Sequence, residues 1–172
     1  VSVRFWRGDR ADLDRAAAAL AKLAMRRSIR LRFLPLHQGE DEEASRYVMQ
    51  RIGGAARCEL APAHEDPRLM LREVGRCRLL VGMRLHALIY AANREVPLLG
   101  ISYDPKIDAF LARLGQRPVG TTEELDPDDF TKQASSLLDQ PEAWRAKAGP
   151  VIARLKTESV RPAQQILAYK RI

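Results

Sequence analysis

Three side chains in the stretch VGMRLHALIYAANREVPLLGISYDPKIDAF (81–110) are suited to handling an anion. Arg84 offers a planar fork of donors that fits a phosphate or a carboxylate. His86, two residues on, can give or take a proton near neutrality. Lys106 adds a second positive charge. Both cations fall where a helix is expected to start. RLHALIYAANR (84–94) has helical length and composition, and Asp104-Pro105 opens the next helix as N-cap plus first-turn proline. No Ser, Thr, Asp or Asn stands just ahead of the first of these helices, so its leading N–H groups are expected to lack a side-chain cap. A cation in a first turn opposes the helix macrodipole, which costs stability unless an anion sits there. These residues alone leave a second arrangement open. Arg84 could pair with Asp104, His86 could be a satisfied interior histidine, and Lys106 could simply be exposed.

Other residues are weaker candidates for the same chemistry. Arg4 could reach the same edge of the fold or lie on a polar strand face. Tyr103 could hydrogen-bond a ligand or pack beside the sheet. Glu40 and Asp41 open a helix after PLHQG, where capping competes with contact to an acceptor hydroxyl. His37 and His64 fall in loops and read as solvated. No cluster of carboxylates suggests a metal, and Cys58 and Cys77 lack CxxC spacing or histidine partners. They are expected to be free thiols. GxGxxG is absent after the first apolar segment, GxxxxGK[ST] is absent, and so is GxSxG. These absences argue against a dinucleotide fingerprint, a P-loop and a hydrolase elbow.

The elements that must position these groups alternate along the chain. Strands are expected at 1–6, 29–36, 57–60, 77–82 and 96–102, with helices between them. A spacing of about 20–30 residues per strand–helix unit is the pattern of a parallel sheet covered on both faces. The expected fold is α/β: a doubly wound, Rossmann-like parallel sheet, with strand order 3-2-1-4-5 counted along the chain. Ligands then bind beyond the carboxyl ends of the strands. Residues 1–172 are expected to form a single domain, with a helical tail from about 127. The chain opens in a strand pattern without an initiator Met, so it is expected to be part of a longer polypeptide.

Bulk properties narrow the class. At 172 residues, with 46% hydrophobic and 30% charged residues, the chain reads as an ordinary globular domain. Its net charge of +7 would attract anions, but the basic residues are dispersed. Aromatic residues make up only 6%, without the basic stripe that nucleic acid requires, so no nucleic-acid partner is expected. No apolar run is long enough to span a membrane.

The stretch 81–115 resembles the CsaB-like polysaccharide pyruvyl transferases through GMRLHALI, the following V-P, ISYDPK, and FL..LG. PLHQGEDE (35–42) and the opening SVRFW extend the resemblance over most of 1–115. It implies the C-terminal, donor-binding half of an enzyme with two Rossmann-like domains facing a cleft, as in GT-B glycosyltransferases. The implied reaction transfers pyruvyl from phosphoenolpyruvate (PEP) to two hydroxyls of a sugar, as a cyclic ketal. The implied acceptor is a saccharide of a bacterial cell-wall polymer or its lipid-linked precursor, and such ketals mark walls for S-layer homology domains. By the same resemblance Arg84 holds phosphate or carboxylate, His86 is the general acid, and Lys106 neutralises departing charge. Arg4 and Tyr103 are further substrate-binding candidates. No cofactor or metal is implied beyond PEP as donor substrate. The remaining partner is an N-terminal domain, expected to supply the general base. Without it the isolated chain is expected not to turn over. The expected location is cytoplasmic, with peripheral association at the inner membrane face for a lipid-linked acceptor.

A competing reading keeps the fold and the anion site but binds a nucleotide-sugar, as one half of a GT-B glycosyltransferase. It calls for an acidic pair placed for a ribose, and no clear E-x7-E pattern is present. A third reading is a non-catalytic module whose basic face binds an anionic polymer or membrane.

Overall fold

The computed structural model describes residues 1–169. It is a mixed α/β structure with parallel strands in two small sheets and helices around them. The first sheet pairs β1 (Arg30–Phe33) with β2 (Arg57–Leu60). The second orders β3 (Leu80–Gly82), β4 (Leu98–Ser102) and β5 (Gly120–Thr121). All pairings are parallel.

The opening residues lie between the two sheets. The Val1 N–H donates to the Arg32 carbonyl at 2.8 Å, and Leu34 N donates to the Val1 carbonyl at 2.8 Å. On the other side Ser2 N donates to Val81 O, Met83 N donates to Ser2 O, and Ser2 bridges Gly82 in parallel. The order across the molecule is therefore β2, β1, residues 1–3, β3, β4, β5. That is the order expected for the five apolar segments, with β5 added at the edge. The expected strand over 1–6 is shorter in fact. Only its first residues pair, and from Arg4 the chain leaves the sheet, with the Arg4 Nε donating to the Phe5 carbonyl. The expected strand at 77–82 is also trimmed to Leu80–Gly82, because Cys77 N still bonds Val74 O at the end of the preceding helix.

Seven α-helices are described: α1 (Ala11–Arg26), α2 (Glu40–Ile52), α3 (Pro67–Gly75), α4 (Leu85–Asn93), α5 (Pro105–Arg113), α6 (Pro127–Asp139) and α7 (Pro141–Tyr169). Successive strand residues face opposite ways, and two cores result. Val81, Leu99 and Ile101 pack with Leu13, Leu20, Val48 and Phe130 from α1, α2 and α6. Leu80 and Leu98 pack with Val74, Leu88, Leu111 and Trp144 from α3, α4, α5 and α7. Strands buried on both faces explain the unbroken apolar runs LLVG and VPLLGIS. Gly100 lets α5 approach β4 closely, since a Cβ there would lie 2.7 Å from a Leu111 methyl. The helical tail is thus part of the core at its start, through Phe130, Ala134, Trp144, Ala148 and Ile152. Among the described residues no helix is long and apolar enough to cross a membrane. Cys58 and Cys77 are free and half-buried, and burial pushes both thiols up from their ordinary pKa.

Candidate functional site

The parallel strands send their following loops to one end of the sheet, where residues 36–41 follow β1, 61–66 follow β2, and 83–86 follow β3. There they enclose a cleft of about 270 Å³ lined by Leu36, His37, His64, Glu65, Pro67, Met70, Arg84, His86 and Tyr90. A larger cavity of about 620 Å³ lies at the opposite end of the strands, lined by Arg30, Arg76 and Arg78 among others. Open α/β sheets bind ligands at the carboxyl ends of their strands, which favours the smaller cleft. Two arginines of the larger cavity are moreover already paired, Arg27 with Asp139 and Arg32 with Glu59 and Glu73.

Arg84 is the N-cap residue of α4, with extended backbone, and no side chain caps that helix. Its fork is not free. Nε donates to both carboxylate oxygens of Asp41 at 3.1 Å, and Nη2 donates to Oδ1. The Asp41 side chain is fully buried, and that of Arg84 is 15% exposed. Asp41 is built to be there. Gly39, at φ +83°, turns the chain into α2 through a conformation that side chains resist. Asp41 then sits in the first turn, where a negative charge suits the macrodipole. Its Oδ2 also accepts the Leu36 N–H at 3.1 Å and the His37 N–H at 2.9 Å. Asp41 therefore ties two strand-end loops together and does not take the capping role expected for it, since Glu42 is the residue that accepts the Gly39 N–H at 3.3 Å. Arg84 pairs with this carboxylate, not with Asp104.

The three expected cationic or titratable groups do not all meet. Arg84 and His86 line the cleft, and His86 is exposed in the first turn of α4. Lys106 is not part of its lining. It lies at the start of α5, 54% exposed, with Nζ 3.0 Å from Asp104 Oδ2. Asp104 also caps α5 by accepting the Lys106 N–H at 2.9 Å. That backbone bond first, and the Lys106 ammonium second, hold the Asp104 carboxyl below the usual carboxylate range. The anions that two cationic helix starts demand are therefore already present, as Asp41 and Asp104. The backbone N–H groups at the start of α4 are what remain open.

Arg4 and Tyr103 meet each other. Arg4 Nη1 donates to the Tyr103 hydroxyl at 3.1 Å, and the guanidinium lies over the Tyr103 and Trp6 rings at 5.3 and 5.6 Å. Trp6 and Tyr103 stand 4.4 Å apart between centroids, tilted by 41°, with Trp6 half exposed. This cluster follows residues 1–3 and β4, the two neighbours of β3, so it is at the same end of the sheet as the cleft.

Sequence reasoning set aside His37 and His64, which line the cleft beside His86. The available signal was their place in strand-end loops; the juxtaposition needed the sheet order. Among the described residues no group of three or more His, Cys, Asp or Glu side chains is arranged to hold a metal ion.

A family model described as polysaccharide pyruvyl transferase matches residues 2–105, which is more than half of the chain. The match contains the whole cleft, Asp41, and the Arg4–Tyr103 pair. The chain belongs to that family.

Proposed function

From membership in the polysaccharide pyruvyl transferase family, we propose that this chain is the donor-binding, Rossmann-like half of a two-domain, GT-B-like enzyme. The donor is PEP and the acceptor a sugar of a cell-wall polysaccharide or its lipid-linked precursor. The observation that supports this most is the cleft at the strand carboxyl ends, where Arg84, His86 and an uncapped helix start come together.

PEP carries a phosphate and a carboxylate close together. The α4 N–H groups and the Arg84 edge not taken by Asp41 receive one of them. Asp41 fixes the guanidinium, so little side-chain freedom is lost on binding. His86 donates a proton to the methylene carbon, which leaves the adjacent carbon oxocarbenium-like and open to a sugar hydroxyl. Lys106 reaches the departing phosphate by exchanging its contact with Asp104 for one with the substrate. Arg4 and Tyr103 hold the half-exposed indole of Trp6 beside the cleft, a flat surface against which a sugar ring of the acceptor packs. The other domain supplies the base for the hydroxyl, so the chain alone binds donor without turning it over.

Calorimetry with PEP, UDP and UDP-sugars tests the reading. PEP should bind, and Arg84→Ala with His86→Ala should abolish binding. PEP binding that survives both substitutions overturns the site. Binding of UDP-sugar without PEP moves the function to a glycosyltransferase.

A further inference from the structure

The chain contains three histidines, and all three line the same cleft. They arrive from separate loops, His37 after β1, His64 after β2 and His86 after β3. The rest of the polar lining is Arg84, Glu65 and Tyr90. His64 Nε2 is shut off from solvent and has no hydrogen-bond partner among the described residues. A buried ring nitrogen left without a partner is costly, and because His64 is only half-buried and lines the cleft, turning its ring would bring that nitrogen to a ligand oxygen. The Asp41 pairing uses Nε and Nη2 of Arg84, which leaves Nη1 for the same ligand.

The reaction proposed above needs more than one proton carrier. One PEP and two hydroxyls give one ketal and one inorganic phosphate. One hydroxyl proton ends on the methylene carbon, which becomes a methyl. The other ends on phosphate: the bond between the central carbon and the ester oxygen breaks, and the electron pair stays on that oxygen. Methylene and ester oxygen are different substituents of the central carbon, so His86 cannot serve both at once.

We infer that His37 and His64 are donor-binding residues that, with Arg84 and His86, surround the PEP phosphate, and that His64 supplies the proton that leaves with it. This rests on the pyruvyl-transfer reading. Other charged groups bear on these rings. Glu65 follows His64 directly, with Asp66 beyond it, while Arg84 and Tyr90 face the cleft from the α4 side and Asp41 stands behind Arg84. A dianion arriving among three imidazoles stabilises their charged form, so its binding draws protons onto the rings.

The experiment is PEP calorimetry near pH 7 in two buffers of different ionisation enthalpy, on wild type, His37→Gln, His64→Gln and the double variant. PEP should bind with proton uptake. Each single variant should bind about three- to tenfold more weakly and the double more than tenfold, with less uptake. Imidazole NMR of the unaltered protein complements this, and PEP should shift all three histidines. Unchanged affinity and uptake in the variants, or a shift confined to His86, overturns the inference and leaves the pyruvyl-transfer reading standing. If the wild type fails to bind PEP, both fall.

Discussion

The starts of α4 and α5 follow neighbouring strands, and each presents a cation, yet they are closed in different ways. At α5 the matching anion is local. Asp104 caps the helix, accepts the Lys106 N–H, and contacts the Lys106 ammonium within a three-residue span. At α4 no local side chain caps the helix, and the anion for Arg84 comes from Asp41 in another loop. The first arrangement completes a helix with a cap and counter-charge from its own loop. The second fixes a guanidinium in place and leaves backbone donors open beside a cleft. A charged helix start is thus closed within its own loop or left with open backbone donors according to where its counter-charge comes from.

Removing the distant carboxylate should have the largest effect on the fold. Asp41→Ala leaves a mostly buried guanidinium unpaired and orphans the Leu36 and His37 N–H groups. We expect a loss of about 3–5 kcal/mol, read from urea unfolding. Asp104→Ala should cost clearly less in the same experiment, because its partners are exposed. Equal losses would erase the distinction between the two junctions.

His86→Gln should lower turnover by about 10²–10⁴ in a preparation that turns over, with the folded state intact. A rise in KM alone, with kcat unchanged, would move His86 from proton donor to binding residue. Arg84→Lys keeps a charge for Asp41 but not the fork, and should weaken PEP binding about tenfold. At the α5 start, Lys106→Ala should weaken PEP binding only about two- to threefold, since the ammonium must first leave Asp104. A larger effect than that of Arg84→Lys would reverse the ranking of the junctions.

The smallest effect is a pH dependence. Asp104 titrates below its ordinary 3.8 in the folded chain. A lowered folded-state pKa adds stability above the unfolded value, and that increment disappears as pH falls through the folded value. Wild type should therefore lose slightly more stability than Asp104→Asn between about pH 5 and pH 2. Parallel acid-unfolding curves would show that the Asp104 contacts do not differ between folded and unfolded chains.

Much of this was legible in the sequence. The apolar runs 80–82 and 98–102 announce strands buried on both faces, because no polar residue interrupts them. Asp104-Pro105 announces a helix start by cap chemistry. RLH and YDPK, at their separation, point to the family that the match over 2–105 establishes. Other features were hidden. β5 is two residues long and carries no periodicity to detect. Arg4 breaks off its strand through contacts with Phe5 and with Tyr103, 99 positions away.

The sequence alone therefore determined the local matters: that the apolar runs at 80–82 and 98–102 become buried strands, where α4 and α5 begin, and that α4 starts without a cap. These depend on side chains a few residues apart. Only the tertiary structure decided that Arg84 is held by Asp41, that Lys106 does not line the cleft, and that His37 and His64 join His86 there. Those outcomes depend on which strands lie side by side. Residues 1–3 set that order by bonding to β1 on one side and β3 on the other. A parallel sheet then sends loops distant in sequence to a common end, so the partners of a charge there are chosen by strand order and not by spacing along the chain.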